Sequence, residues 1–346
     1  AEFMGVAYIE VVKAAAIPAV LYFTGIWIGV HLEAKKHGLK GIPRSELPKF
    51  KELFFERGHL ALPLIGIIYL LVAGYSPTRA ALAAILLAII ASFLRKSTRM
   101  KPIEIVQGLE KGAKGVLGVM IACASAGIII GIVTKTGVGL KLAGALIDLA
   151  GGMLLPAMFF TMVTSIILGM GVPTTANYVI TSTIAAPALI QMGVPLMAAH
   201  MFVFYFGIIA DVTPPVALAA FAGAGISGGN PMKTGVTASK LAIAAFVIPY
   251  IFVLSPALLM INTTPLELAW AFATSIIGMI GLGTAMIGYF LAPANIIMRV
   301  AAFVGGITLI IPGFYSDMVG FGLLGGVLFM QMAKRKRMDA QAKVTE

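Results

Sequence analysis

Two polar stretches interrupt the most apolar part of the chain, and they carry the side chains best suited to binding an ion. The first, "GMGVPTTANYV", covers residues 169–179, and the second, "GIIADVTPPVALAAF", covers residues 207–221. They supply hydroxyls, an amide, a carboxylate and backbone carbonyls, some of which the prolines leave without a helical N–H partner. Such hard oxygen ligands suit Na⁺, whereas the sequence offers no set of nitrogen or sulfur ligands for a transition metal.

The candidate site residues fall into two groups, one for each stretch. The first group comprises Gly169, Gly171, Val172, Pro173, Thr174, Thr175 and Asn177. The second comprises Asp211, Thr213, Pro214 and Pro215. The glycines and prolines are expected to shape the backbone, and the side chains expected to contact Na⁺ are those of Thr174, Thr175, Asp211 and Thr213.

Asp211 is the carboxylate of the second stretch, and the first stretch has none. A carboxylate within a membrane segment is costly and is a functional hypothesis by default. We expect Asp211 to balance the charge of the coupling ion. If protons replace Na⁺ in that role, Asp211 would carry the proton.

The composition is that of a polytopic helical membrane protein. Hydrophobic residues make up 60% of the 346 residues and charged residues 11%, and apolar runs alternate with short polar links. The net charge of +11 is concentrated in the links 31–58 and 95–114 and in "KRKR" at residues 334–337. Basic links of this kind mark the cytoplasmic side, so they predict a cytoplasmic C-terminus and not a nucleic-acid partner.

The apolar block 153–192 contains the first polar stretch and is too long for one crossing. A helix of that length would measure about 60 Å, twice the hydrocarbon core of a bilayer. A hairpin in this block brings every strong basic cluster to one face, whereas a single crossing leaves residues 334–337 outside. The polar middle of the block favours a re-entrant hairpin over two full spans.

The next apolar segment, 195–225, contains the second polar stretch and is predicted to be a discontinuous helix. Unwound backbone at membrane depth is tolerated only where it is buried in protein or lines a cavity. Hairpin tips and broken helices are typical of secondary transporters, in which the N-termini of half-helices attract anions and exposed oxygens bind cations. The two stretches therefore predict an ion-coupled transporter.

At these residues the sequence resembles a known family, the large membrane subunit of tripartite ATP-independent periplasmic (TRAP) transporters, in its fused, TAXI-type form. The resemblance rests on "GMGVPTTANYVITSTIAAPAL", on "IADVTPPVALAAFAGAGISGGNPMKTG" and on the opening "AEFMGVAYIEVVKAAAIPAVLYF". It extends from residue 1 to about residue 262.

The resemblance implies an all-α, elevator-type fold of the ion-transporter superfamily, built from two inverted repeats in a bacterial or archaeal cytoplasmic membrane. It implies Na⁺ sites where hairpin tips meet helix breaks. It also implies that a TAXI-type periplasmic binding protein delivers a small carboxylate substrate. The hairpin and break of the first repeat belong before Ala1 in this family, so the first repeat is expected to be incomplete.

Four regions are predicted along the chain. They are the end of the first repeat with a cytoplasmic link (1–58), connecting transmembrane helices (59–133), a second-repeat transport region (134–262) and a C-terminal extension with a basic tail (263–346). Within them, residues 101–114 are predicted to be a surface helix and 134–152 an outer link. The similar segments "AAAIPAVLYF" and "IAAFVIPYIF" are predicted to have opposite orientations, as inverted repeats require.

Other functions remain open at this point. A proton-coupled carrier of the same class is one alternative, and a non-transporting fragment or assembly subunit of a split permease is another. A channel would repeat polar residues along several spans, which this sequence does not do. No nucleophile–base pair, metal motif or phosphate-binding loop occurs, so neither an enzyme nor a cofactor beyond the coupling ion is expected.

Overall fold

The computed structural model describes residues 1–311 and 313–345, and these residues are 81% helical without a strand. The prediction of an all-α polytopic membrane protein is thereby confirmed. The α-helices, numbered in chain order, are α1 (Tyr8–Lys36), α2 (Phe50–Arg57), α3 (Leu62–Val72), α4 (Pro77–Phe93), α5 (Pro102–Thr136), α6 (Val138–Leu149), α7 (Leu154–Gly169), α8 (Thr174–Ile184), α9 (Ala186–Gln191), α10 (Leu196–Ile209), α11 (Leu218–Ser227), α12 (Pro231–Leu241), α13 (Ile243–Leu254), α14 (Pro265–Ile287), α15 (Ile296–Ile310) and α16 (Phe314–Thr345).

Five helical stretches within the described residues are long and apolar enough to cross a membrane. A sixth arises if α6 and the second half of α5, which are bent by 76° at Gly137, count as one span. Shorter apolar helices, including α7, α10 and α11, accompany them. A bilayer leaves no water to satisfy exposed backbone groups, which explains why the apolar segments are helical.

Local signals explain where several helices begin. Thr264 and Glu267 form a reciprocal capping box at α14, where the Thr264 hydroxyl accepts from the Glu267 amide and the Glu267 carboxylate accepts from the Thr264 amide. Pro265 occupies the first turn, where its missing N–H costs nothing. Asn230 caps α12 in the same way as serine and threonine cap other helices, by accepting from the amide of Lys233.

The chain divides into two compact units. The first comprises Ala1–Lys13 and Lys40–Ile121, and within it α3 packs against α4 as an antiparallel pair joined by a short turn. His59 is hydrogen-bonded to the Thr98 hydroxyl over 2.9 Å, which joins the start of this pair to its end. The second unit comprises Ala14–Leu39 and Ala122–Glu346 and contains all the candidate site residues.

In the second unit, the two similar segments run antiparallel. Gly25 of α1 lies against Ala244 of α13, and Gly29, one turn later in α1, lies against Leu241, which precedes Ala244 in the chain. The order of contacts is therefore reversed, as the orientation of inverted repeats requires. Both helices also carry an internal proline, Pro18 in α1 and Pro249 in α13.

One sequence prediction differs from the structure. Residues 101–114 and 115–133 were expected to be a surface helix and a separate span, but they form the single helix α5. Charged side chains lower the hydropathy of a segment without ending its helix, and no proline follows Pro102 in this stretch. Residues 134–152, predicted as an outer link, contain the helix α6, which starts after Gly137 adopts a left-handed conformation with φ +65°.

Glycines set the distance between helices in the C-terminal extension. A Cβ atom on Gly306 of α15 would lie 2.8 Å from the carbonyl oxygen of Gly278 and 3.0 Å from the amide of Leu282, both in α14. Close packing of small residues is the main source of helix association in a membrane, where lipid tails are as apolar as the side chains. The pairing of α14 with α15 therefore depends on the missing side chain of Gly306.

We expect Gly306→Val to destabilise the extension by about 1–3 kcal/mol, the usual cost of overpacking a well-filled interior. The matched control is Gly322→Val in α16, where an added Cβ would meet nothing within 4 Å. Both substitutions place the same β-branched residue in a helix. The thermal unfolding midpoint in detergent should fall for Gly306→Val alone, and equal midpoints for the two variants would contradict this packing account.

Candidate functional site

The first polar stretch is the tip of a helical hairpin over residues 154–191. The chain leaves α7 at Gly169, turns through Gly171 with φ +72°, and enters α8 at Thr174. Helix α7 packs against both α8 and α9, so the two arms lie alongside each other. The hairpin was expected over 153–192, and its arms end where glycine and proline were expected to interrupt them.

The second polar stretch breaks the helix between α10 and α11. A 3₁₀ turn covers Ala210–Val212, Thr213 is extended, the peptide bond between Pro214 and Pro215 is cis, and Ala217 has φ +37°. Helix α11 then starts at Leu218. The expected discontinuous helix over 195–225 is thus present over residues 196–227.

Two hydroxyls stabilise the broken backbone. Thr213 donates from Oγ1 to the carbonyl oxygen of Ile209 over 2.7 Å, which satisfies a carbonyl at the end of α10. Ser239 of α12 donates from Oγ to the carbonyl oxygen of Val212 over 2.9 Å, and Oγ also lies 3.1 Å from the carbonyl oxygen of Gly235. Helix α12 therefore holds the break from the side, because the bond from Ser239 occupies the Val212 carbonyl, which the break leaves without a helical partner.

The hairpin tip lies directly against the break. A Cβ atom on Gly169 would be 2.6 Å from the carbonyl oxygen of Gly207, 2.7 Å from Nδ2 of Asn177 and 3.1 Å from Cβ of Ala210. A Cβ atom on Gly207 would be 2.6 Å from Nδ2 and 2.7 Å from Oδ1 of Asn177. Only residues without a side chain permit this approach, so the two glycines and the Asn177 amide form one joint.

Asn177 is buried in this joint. Its side chain is 2% exposed, and Oδ1 has no hydrogen-bond partner among the described residues. Ser165 and Thr161, one and two turns before Gly169 on the same face of α7, are also fully buried and have unpartnered hydroxyl oxygens. Buried polar atoms normally have a partner, so this row of oxygen atoms behind the tip is an unusual feature.

The other candidate residues lie around the joint. Thr174 and Thr175 are exposed at the start of α8, and neither hydroxyl makes a hydrogen bond within the described part of the chain. Asp211, Thr213 and Pro214 are half-buried at the break. No hydrogen bond joins Thr174 or Thr175 to the break residues in the ranges that the structure describes, so the structure brings together Gly169, Asn177 and the break more closely than the two threonines.

The remaining candidate residues differ in how far they are buried. Val172 is half-buried and packs against a cluster of Ala126, Ala176, Ile180 and Ile184, which fixes the tip to the second half of α5. Gly171, Pro173 and Pro215 are exposed.

Both helices that leave the two breaks start without a side-chain cap. Pro173 precedes α8 and Ala217 precedes α11, and neither offers a hydroxyl, amide or carboxylate to the free amides of the first turn. These amides lie at residues 174–176 and 218–220, and they give each helix start a partial positive charge. Among the described residues there is no group of three or more His, Cys, Asp or Glu side chains that could hold a metal ion.

Sequence reasoning missed four residues of the joint and its support. Gly207, Thr161 and Ser165 do not stand out in an apolar run, because small and hydroxyl residues are common in membrane helices. Ser239 lies in a polar segment that was predicted as a link. The spacing of Thr161, Ser165 and Gly169 at every fourth position was the available signal. It predicts a small, polar stripe on one face of α7.

A family model matches the part of the chain that contains the hairpin and the break. The model for the DctM component of the tripartite ATP-independent periplasmic transporters matches residues 1–266. The chain belongs to this family. It is therefore a permease component of a TRAP transporter, an inner-membrane protein that works with a periplasmic substrate-binding protein, and it is not an enzyme.

The comparisons with curated proteins and with solved structures gave no significant match. The match to the family covers the hairpin and the break of this TRAP permease, and it ends in the first turn of α14. The helices α15 and α16 and most of α14 lie outside it.

The glycine joint gives a direct prediction for stability. Gly169→Ala adds a Cβ atom that meets the backbone oxygen of Gly207, so the tip must move away from α10, and we expect a loss of about 1–3 kcal/mol. The control is Gly144→Ala in α6, where an added Cβ would meet nothing within 4 Å. Both changes add about 0.5–1 kcal/mol of helix propensity, so their difference isolates the contact.

The measurement is the thermal unfolding midpoint of the two variants in the same detergent. Gly169→Ala should unfold at a lower temperature than Gly144→Ala. A Gly169→Ala midpoint at or above that of the control would show that the tip does not depend on close contact with α10.

Proposed function

We propose that this permease couples the uptake of small organic anions, chiefly carboxylates, to Na⁺, and that a TAXI-type binding protein delivers the substrate. The observation that carries the proposal is the joint between Gly169, Gly207 and Asn177, because it brings a hairpin tip and a broken helix together in one unit. Two interrupted backbones offer both free amides and free carbonyls, and such groups bind anions and cations respectively.

The proposal for Na⁺ rests on the oxygen atoms at the joint. Asp211 supplies a carboxylate in the 3₁₀ turn that contacts the end of α7, and Thr213 keeps the lone pairs of its hydroxyl while its proton is donated to Ile209. Asn177 supplies a buried amide oxygen without a partner among the described residues. Carboxylate, hydroxyl, amide and carbonyl oxygens are the ligands that hard cations prefer.

Thr174 and Thr175 remain candidate Na⁺ ligands, but they differ from Asp211 in their exposure. Their side chains are exposed at the tip, whereas Asp211 is half-buried at the break. We therefore rank Asp211, Thr213 and Asn177 ahead of the two threonines as ligands in the conformation described here.

The proposal for an anionic substrate rests on the starts of α8 and α11. Each presents uncapped amides, at residues 174–176 and 218–220, and each has the partial positive charge of a helix N-terminus. A carboxylate can accept hydrogen bonds from such amides, and bound Na⁺ would add attraction for it. The exposure of Thr174 and Thr175 leaves the start of α8 open to a ligand.

The proposed partner and orientation have separate support. The TAXI type rests on the resemblance of the two polar stretches to fused members of the family. The cytoplasmic C-terminus rests on the basic residues of 31–58, 95–114 and 334–337, because basic links stay on the cytoplasmic side.

Asp211→Asn tests the role of the carboxylate at the break. Removing a charged ligand costs about 1.5–3 kcal/mol, so the Na⁺ concentration for half-maximal uptake should rise about tenfold or more. The assay is uptake into proteoliposomes that contain the permease and its binding protein, with Na⁺ replaced stepwise by choline. Asp148→Asn, at an exposed position in α6, is the matched control.

An unchanged Na⁺ response in Asp211→Asn would contradict the assignment. Uptake could instead follow a pH gradient in the absence of Na⁺. If Asp211→Asn abolished that uptake, the proton and not Na⁺ would be the coupling ion, and Asp211 would carry it.

A further inference from the structure

The C-terminal extension contains a cavity that the transport site does not use. It has a volume of about 510 Å³ and lies where the end of α13 meets the starts of α14 and α16 and the end of α15. Its polar lining residues include Ser255, Glu267, Trp270, Thr274, Ser275 and Asp317. Because the family model ends at residue 266, the cavity forms at the boundary between the family part and the extension.

The cavity lies at the end of α16 that is opposite the basic residues 334–337. Asp317 is in the first turn of α16, and the helix from Asp317 to residue 334 measures about 25 Å. On the proposed topology, the basic end is cytoplasmic, so the cavity faces the periplasmic side.

Asp317 is the central residue of this cavity. It is 9% exposed, and its Oδ2 accepts a hydrogen bond from Nε1 of Trp270 over 2.8 Å. Its Oδ1 is shielded from solvent and has no partner among the described residues. The first turn of a helix favours a carboxylate, but a buried carboxylate with an unused oxygen is costly unless a cation or donor reaches it.

The other polar groups of the cavity include acceptors, and Ser255, Asn262, Thr263 and Ser275 also carry hydroxyl or amide donors. Glu267 is held at the rim by the amide of Thr264 at 3.0 Å and the hydroxyl of Thr263 at 3.3 Å, and both of these groups donate to its carboxylate. Thr274 donates its hydroxyl proton to the carbonyl oxygen of Ala271, which leaves its lone pairs available. No Lys, Arg or His is found among the described residues that line the cavity, so its two carboxylates have no basic partner there.

We propose that this cavity binds an organic cation that carries N–H donors, either an alkylammonium or a guanidinium group. Such a group can donate to the carboxylate of Asp317 and lie near the ring of Trp270, whose face attracts cations. A bare divalent ion requires several oxygen ligands within about 2.6 Å, whereas the acceptors here are spread over a cavity of about 510 Å³. The apolar part of the wall, which includes Leu254, Ile261 and Ile310, suits a short alkyl chain.

Trp270 provides the reporter for the test. The chain has only two tryptophans, so Trp27→Phe leaves Trp270 as the sole indole fluorophore. The purified protein with this substitution is titrated in detergent with methylguanidinium and with ethylammonium at constant ionic strength. Tetramethylammonium, which has no N–H, and Na⁺ serve as control ions.

We expect a saturable change of Trp270 fluorescence with methylguanidinium or ethylammonium and none with the control ions. Asp317→Asn should weaken the response at least about tenfold, because it removes the charge and keeps an oxygen that can accept from the Trp270 indole. Asp148→Asn, an exposed position in α6, should leave the response unchanged. The unfolding midpoint of each variant, measured in the same buffer, verifies that both are folded.

Three results would overturn the proposal. They are the absence of a saturable response to either N–H cation, an equal response in folded Asp317→Asn, and a matching response to Na⁺ or tetramethylammonium. If Asp317 only stabilises the packing of α16 on α14 through its hydrogen bond to Trp270, neither N–H cation would give a saturable response.

A second arm identifies where the cation comes from once binding is established. The periplasmic binding protein is added to the permease with and without saturating methylguanidinium. Competition that Asp317→Asn removes identifies a Lys or Arg side chain of the binding protein as the occupant. Independent binding of the two identifies a free organic cation.

Discussion

The contact between Gly169 and Gly207 is the constraint on which the transport region depends. The end of α7 reaches α10 closely enough that an added Cβ on Gly169 would lie 2.6 Å from the Gly207 carbonyl oxygen. The Asn177 amide fills the space that the two missing side chains leave. Without this approach, the tip of the hairpin and the broken helix would be separate irregular segments, each with unsatisfied backbone groups in an apolar environment.

The rest of the region supports this contact. Ser239 of α12 donates to the free carbonyl of Val212 and Thr213 donates to the carbonyl of Ile209, so two hydroxyl groups hold the break. On the opposite side of the tip, Val172 packs against the apolar cluster that includes Ala126 of α5. The polar joint is thus enclosed by apolar packing, which strengthens the electrostatic interactions of any ion that it binds.

Local signals in the sequence predicted the irregular segments, whereas the contacts between them had to come from the structure. Glycine and proline mark where α7 ends, where α8 begins and where α10 breaks, because their effect on the backbone is local. The role of Gly207 was hidden, since a helix that is apolar all round does not reveal which face packs. Ser239 is 27 residues from Val212 and Asp317 is 47 residues from Trp270, so neither pair follows from spacing. Residues 101–114 were predicted as a separate surface helix because apolar side chains there stand beside charges, although nothing breaks the helix before residue 133.

Hydrogen–deuterium exchange shows whether one ion binds the tip and the break, because it reports on both segments in one experiment. The permease in lipid nanodiscs is compared in Na⁺ and in K⁺ at equal ionic strength. We expect Na⁺ to slow amide exchange in residues 170–177 and in residues 210–217 together, since one ion at the joint would order both segments. No change in either segment, or slowing in only one of them, would contradict this expectation.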